Sequence, residues 1–208
     1  MLNRLVFLAL ACTTLPAHAD EARLALALRD GDAMAVTAAL ASVSDLDQPF
    51  AGSSLTPLGL AILQGDVGIT RQLLEAGAGV DRASALEMPP LAIAAYSCLA
   101  GPAMIDLLLD HGAAIDSPAP GGMTPLLIAG LKGRDDIVAR LLQAGADAAA
   151  VDVFGDGLLN FAIYSQDPKR VQTALAFGSG TAQLDRLFLT RGYRAYFWPG
   201  PVLCPPAD

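Results

Sequence analysis

Apolar positions along this chain fall into short helical stretches separated by glycine-containing breaks, and the stretches recur. Ile69 precedes Leu73-Leu74 by one turn, Met104 precedes Leu108-Leu109, and Ile137 precedes Leu141-Leu142, so each set shares one helix face. Upstream of each set stands a second apolar block: Thr56-Pro57-Leu58-x-x-Ala61, Pro89-Pro90-Leu91-x-x-Ala94 and Thr124-Pro125-Leu126-x-x-Ala129, with a degenerate fourth, Gly157-Leu158-Leu159-x-x-Ala162. A threonine hydroxyl caps the open N–H groups of a helix start, and proline tolerates the missing donor one position later, so Thr-Pro predicts N-cap and first helical residue. Gln64-Gly65-Asp66 and Lys132-Gly133-Arg134 break each unit into two short antiparallel helices. Gly77, Gly112, Gly145 and Gly178 close the units at intervals of 35, 33 and 33 residues. A helical hairpin of this size cannot bury its own apolar face, and a fixed period near 33 residues predicts a stacked solenoid.

These residues resemble the ankyrin repeat, whose pattern opens with Thr-Pro-Leu-His-x-Ala-Ala, breaks at a glycine and closes with Leu-Leu-x-x-Gly-Ala-Asp-Val-Asn. The tails Gly77-Ala78-Gly79-Val80-Asp81, Gly112-Ala113-Ala114-Ile115-Asp116 and Gly145-Ala146-Asp147 carry the likeness, and a stretch from Arg23 through Gly31-Asp32 and Leu40 to Asp47 fits the same frame with a weaker start. The resemblance implies an all-α ankyrin-repeat solenoid over residues 20–183, with short β-turn fingers and units at roughly 22–50, 51–83, 84–118, 119–151 and 152–183. Two departures stand out. The family's histidine, which ties neighbouring repeats by hydrogen bonds, is replaced by Gly59, Ala92, Leu127 and Asn160, and the third unit carries two extra residues around Cys98–Gly101.

Residues 1–19 read differently. Arg4 supplies a positive start, Leu5 to Ala11 a short apolar core, and Ala17-His18-Ala19 a small-x-small cleavage site, so a secretory leader cut between Ala19 and Asp20 is expected, with a periplasmic or secreted product. Leu10-Ala11-Cys12 leaves a lipoprotein alternative. Beyond the repeats, Leu184, Leu187 and Phe188 suit one more helix, and Tyr193-Arg194-Ala195-Tyr196-Phe197-Trp198-Pro199-Gly200-Pro201 forms an aromatic, proline-rich tail within 184–208. That tail either caps the last repeat or offers an adhesive surface.

Composition changes the picture in two ways. A mean hydropathy of +0.46 suggests a membrane protein, but the one long apolar stretch, Pro89 to Ile105, contains Gly101-Pro102 and ends at Asp106, short of the roughly 20 residues a bilayer needs. No integral membrane segment is expected once the leader is gone. Loss of Arg4 leaves 12 basic against 21 acidic residues, a balance that argues against nucleic acid and anionic lipid as partners and suits either a basic partner or simple solubility.

Candidate chemistry is sparse. Of two histidines, His18 leaves with the leader and His111 precedes a helix-closing glycine, so no Ser–His or Cys–His couple forms and no catalytic residue is assigned. Asp147, Asp152 and Asp156 lack the spacing of a calcium loop, and Gly178-Ser179-Gly180 follows no buried strand, so neither a metal nor a cofactor is expected. Cys98 and Cys204 remain after cleavage, and an oxidising compartment permits them to pair; a buried Cys98 with a free Cys204 fits equally.

In the family, partners bind the finger tips and the exposed positions of each first helix. The resemblance places those positions at Ser53, Leu55, Leu63 and Gln64, then Leu86, Met88, Tyr96 and Ser97, then Met123, Leu131 and Lys132, and last Val153, Phe154, Asp156, Tyr164 and Ser165. The ten apolar or aromatic ones (Leu55, Leu63, Leu86, Met88, Tyr96, Met123, Leu131, Val153, Phe154, Tyr164) make a candidate protein-binding strip if exposed, with Tyr96, Phe154 and Tyr164 expected to stay so. Packing of fingers on one another, or of the tail into the groove, is the competing reading. The functional expectation is a non-catalytic, exported binding module, monomeric alone, that recognises another protein. An immunity protein neutralising a toxin and an enzyme of unknown type are the alternatives.

Overall fold

The computed structural model describes residues 16–50 and 52–178, with side chains from residue 19 onward. The leader's apolar core, the expected helix at Leu184–Thr190, the aromatic tail and Cys204 lie outside them. Ten α-helices occur among the described residues, in five consecutive pairs: α1 (Pro16–Asp30) with α2 (Ala33–Leu40), α3 (Pro57–Gln64) with α4 (Val67–Glu75), α5 (Pro90–Tyr96) with α6 (Pro102–Asp110), α7 (Pro125–Lys132) with α8 (Asp135–Gln143), and α9 (Leu158–Tyr164) with α10 (Pro168–Ala176). The odd-numbered helices pack side by side as one layer, α2, α4, α6 and α8 form the second, and α10 packs on α9. The described residues form an all-α solenoid of stacked helical hairpins. Helix α1 starts six residues before the expected unit boundary, because the alanine- and leucine-rich run extends the helix upstream to a proline in its first turn.

The helix starts follow their sequence signals. Thr56 Oγ1 accepts from Gly59 N–H at 3.1 Å and Thr124 Oγ1 from Leu127 N–H at 3.3 Å, which satisfies donors the first turn leaves open. Glycine and proline blocks cap otherwise: Pro89 provides no side-chain cap for α5, and at α9 the Asn160 Oδ1 accepts from Gly157 N–H at 3.2 Å. The second helices α2, α4 and α10 are capped by Asp32, Asp66 and Asp167.

The core is one continuous cluster threaded through the stack. Ile69, Leu73, Met104, Leu108, Ile137 and Leu141 are fully buried between the layers, and Leu58, Ala61, Leu91, Ala94, Leu126 and Ala129 bury the facing side of the first helices. Each hairpin thus covers the face its neighbour cannot cover alone.

Polar ties between pairs stand where the family's histidine is missing. Asp47 Oδ1 accepts from Gly79 N–H at 2.7 Å, Asp81 Oδ1 from Ala114 N–H at 2.9 Å, and Asp116 Oδ1 from Asp147 N–H at 3.1 Å, so the aspartate closing each of the first three units reaches one repeat onward. Replacing Asp47 with alanine is expected to cost about 1–2 kcal/mol, because a charge-assisted bond to a half-buried amide is lost; urea denaturation followed by far-UV circular dichroism measures it.

The third unit departs most from the repeat. Its interhelix turn, Ser97 to Gly101, lacks the left-handed glycine that closes α3 and α7 in its neighbours and is built from cross-repeat bonds. Ser97 Oγ donates to Leu63 O at 2.9 Å and accepts from Leu99 N–H at 3.1 Å. The Arg134 guanidinium, in the next pair, donates to the carbonyls of Ser97 and Ala100, the latter at 2.6 Å, and to Asp136 at 3.0 Å. Three hairpins therefore meet at this turn.

Candidate interaction surface

Fingers and first-helix ends carry the candidate strip. The fourth and fifth fingers are closed by single antiparallel bridges, Ala119 with Met123 and Val151 with Gly157. Successive fingers are joined by backbone bonds: Ala85 N–H donates to Ser54 O at 2.9 Å, and Val153 N–H to Gly121 O at 2.9 Å. At the fifth tip Asp152 Oδ1 accepts from the amides of Phe154 and Asp156 at 2.8 and 2.9 Å, an Asx-type turn that lifts Phe154 to the apex. The acidic residues there shape the turn: Asp156 Oδ1 also accepts from Asn160 Nδ2 at 2.9 Å.

The ten apolar candidates divide into two sets. Leu86, Tyr96, Val153, Phe154 and Tyr164 are 46–71% exposed. Leu55, Leu63, Met88, Met123 and Leu131 are half-buried and pack against the core. The reason is local: neighbouring fingers are hydrogen-bonded close together, so the leucines and methionines at their bases fill the space between adjacent first helices. Among the polar candidates, Ser97, Lys132 and Asp156 are buried rather than presented. Ser97 is held by the turn described above, and Asp156 by the finger. The Lys132 stem lies within the layer and its Nζ sits 4.4 Å from the centroid of the Tyr96 ring, a cation–π contact that fixes the ring orientation. Ser53, Gln64 and Ser165 are half-buried.

What is presented is therefore a row with two clusters. Tyr96 ends α5 and Tyr164 ends α9, with Lys132 ending α7 between them. Leu86, Val153 and Phe154 stand on the fingers that precede α5 and α9. Among the exposed apolar residues outside the ten candidates is Leu99, 69% exposed, on the third interhelix turn beside exposed Cys98. The two-residue enlargement of that turn was its only sequence signal. Cys98 is disulfide-bonded, and its partner lies outside the described residues.

Residues 121–153 match the family model of the ankyrin repeat. That unit is an ankyrin repeat. The matched segment is the fourth finger with α7 and α8, the unit that combines Thr124-Pro125-Leu126, a Gly133 break, Leu141-Leu142 and Gly145-Ala146-Asp147. The third unit replaces threonine by Pro89 and lacks the central glycine, and the fifth lacks Pro-Leu at its start; yet the same hairpin forms in each. No curated protein matches the chain. Ankyrin repeats are generally protein-interaction modules, and no described helix is long and apolar enough to cross a membrane.

A concave site suited to a small ligand does not coincide with the strip. A notch of about 200 Å³ lies between the fourth and fifth hairpins, lined by Gly130, Val138, Leu158, Ala162 and Arg170 among others. Two of its charged groups pair, Arg170 Nε with Asp135 at 2.8 Å.

Proposed function

We propose that this ankyrin-repeat protein is a non-catalytic binding module that engages another protein through the exposed row Leu86, Tyr96, Val153, Phe154 and Tyr164. The carrying observation is that these five large apolar side chains, on fingers and first-helix ends, remain 46–71% exposed, while Leu63 and Leu131, which take the place of the two tyrosines in other repeats, pack against the core. Aromatic side chains held on rigid elements give large contact area at low entropic cost, which is the usual make-up of interface hot spots. Here the Tyr96 ring is pre-positioned by Lys132 and Phe154 by its Asx turn.

The reading includes export. A leader cut between Ala19 and Asp20 removes only the first turn of α1, upstream of Leu24, the first fully buried residue of the core, so the repeat stack keeps its first hairpin. It assigns no active site to histidine: His111 is the exposed residue that ends α6.

A strongly acidic repeat domain, with 9 basic against 19 acidic residues in 20–178, favours a basic partner surface and keeps the immunity-protein form of this reading in view. Affinity capture from periplasmic extract tests the surface: the wild-type chain is expected to retain a protein that a Tyr96→Ala/Phe154→Ala double variant loses. Identical captured sets would overturn the assignment. Loss of self-protection on deletion, beside a neighbouring toxin gene, would select the immunity form.

A further inference from the structure

The chain has three cysteines, Cys12, Cys98 and Cys204, and Cys98 is engaged in a disulfide. Geometry separates the two possible partners. Cys12 lies four residues before Pro16, the start of the 15-residue helix α1. That start is about 20 Å along the helix axis from the end of the layer where Cys98 sits, and α1 is two helix spacings, about 16–20 Å, from α5. The separation of about 26–28 Å exceeds the roughly 14 Å that four residues span, even with the further ~6 Å between disulfide-linked Cα atoms. Cys204 follows Gly178 by 26 residues, about 85 Å of extended chain. It reaches Cys98 with ample slack.

The tail between these anchors is matched to the surface it must cross. Trp198 stands six positions before Cys204, with Pro199 and Pro201 between them; six steps of extended, proline-rich chain span about 19 Å. Two helix spacings from α5 to α9 come to about 16–20 Å. From an anchor at Cys98 the level of α9, which ends at Tyr164, is therefore within reach of Trp198. Charge agrees as well. Arg186, Arg191 and Arg194 make residues 179–208 net positive, with two acidic residues, against a repeat domain of 9 basic and 19 acidic residues.

We propose that residues 193–204 are the first occupant of the apolar row: a Cys98–Cys204 disulfide straps the aromatic tail across α7 onto Tyr164 and Phe154. The bond forms when the two thiols lose two protons and two electrons to a disulfide oxidant, oxidised glutathione for instance, which leaves as two thiols. Reduction by a dithiol reverses the step and releases the strap. The docking itself does not depend on any partner. Its consequence, that the oxidised chain covers in cis the surface it otherwise offers to another protein, rests on the function proposed above.

Trp198 is the sole tryptophan of the chain, so its fluorescence reports this docking alone. The full chain, oxidised with glutathione disulfide, is expected to yield one Cys98–Cys204 peptide pair on non-reducing digestion and mass spectrometry. Two free thiols, a Cys12–Cys98 pair or a dimer linked between copies would overturn the proposal. Trp198 emission of the oxidised chain is expected to be blue-shifted and several-fold less quenched by acrylamide than after dithiothreitol or in Cys204→Ser, a change outside the repeats. In Tyr164→Ala/Phe154→Ala the disulfide persists while quenching rises; equal quenching in all forms would refute docking. Partner capture stronger with Cys204→Ser than with the oxidised wild type supports the covering role. If neither form captures anything while Trp198 still responds, the strap stands and the proposed binding function fails.

Discussion

Gly65→Ala lowers the stability of the repeat domain by about 2–4 kcal/mol. Gly65 closes α3 with φ +75°, a left-handed conformation, and a Cβ built on it would stand 2.4 Å from the carbonyl oxygen of Leu99 and 2.8 Å from its carbon. Two separate effects add. An L-residue in the left-handed region costs about 1–2 kcal/mol, and a clash against backbone cannot be relieved by a side-chain rotation, so the enlarged turn of the third unit must shift and strain the bonds it makes to Leu63 and Arg134. Gly77 supplies the control. It has φ +100° with nothing within 4 Å of the place a methyl group would take, so Gly77→Ala should carry only the conformational cost of about 1–2 kcal/mol. Urea denaturation of both variants measures the difference; equal losses would show that contact with the third turn contributes nothing.

Arg134→Ala is the second large effect, at about 2–4 kcal/mol. The side chain is 8% exposed, bonds the carbonyls of Ser97 and Ala100, and pairs with Asp136 at 3.0 Å. Asp136 is half in solvent and loses little. The cost comes from the two carbonyls, which no longer meet a donor, and from the cavity left by the guanidinium. Arg134→Lys recovers only part of it, because one ammonium cannot span both carbonyls as the planar fork does. A loss below about 1 kcal/mol for Arg134→Ala would mean that water replaces the guanidinium at this turn. The same substitution loosens the segment that carries Cys98 and Leu99, so hydrogen exchange at Leu99 and Ala100 is expected to rise more than in the fourth hairpin's core.

Much of the architecture was legible in residue spacing because its causes are local. Thr56-Pro57 and Thr124-Pro125 carry their own cap and their own first turn, and Ile69 with Leu73 or Ile137 with Leu141 fall on one face by helix geometry alone. The candidate surface was legible only in half. Leu63 and Tyr96 occupy equivalent positions at the ends of α3 and α5, yet Leu63 packs inward while Tyr96 stays half exposed. The difference depends on what the next repeat places alongside, here Lys132 under the Tyr96 ring. Lys132 itself read as a solvent-facing position and is buried, because its apolar stem serves the layer and its ammonium finds a π face.

By itself the sequence determined the period, the hairpin unit, the helix starts and the apolar faces, since each of these follows from interactions within about one turn of helix or one repeat. Only the tertiary structure decided how the repeats are tied without the family's histidine. Asp47, Asp81 and Asp116 reach amides 31–33 residues away and Arg134 reaches carbonyls 34 and 37 residues back, and such bonds leave no periodic trace that distinguishes them from surface charge. The same holds for the exposed row: exposure is a property of neighbouring units in contact, and a residue's own spacing fixes which face it joins but not what comes to cover it.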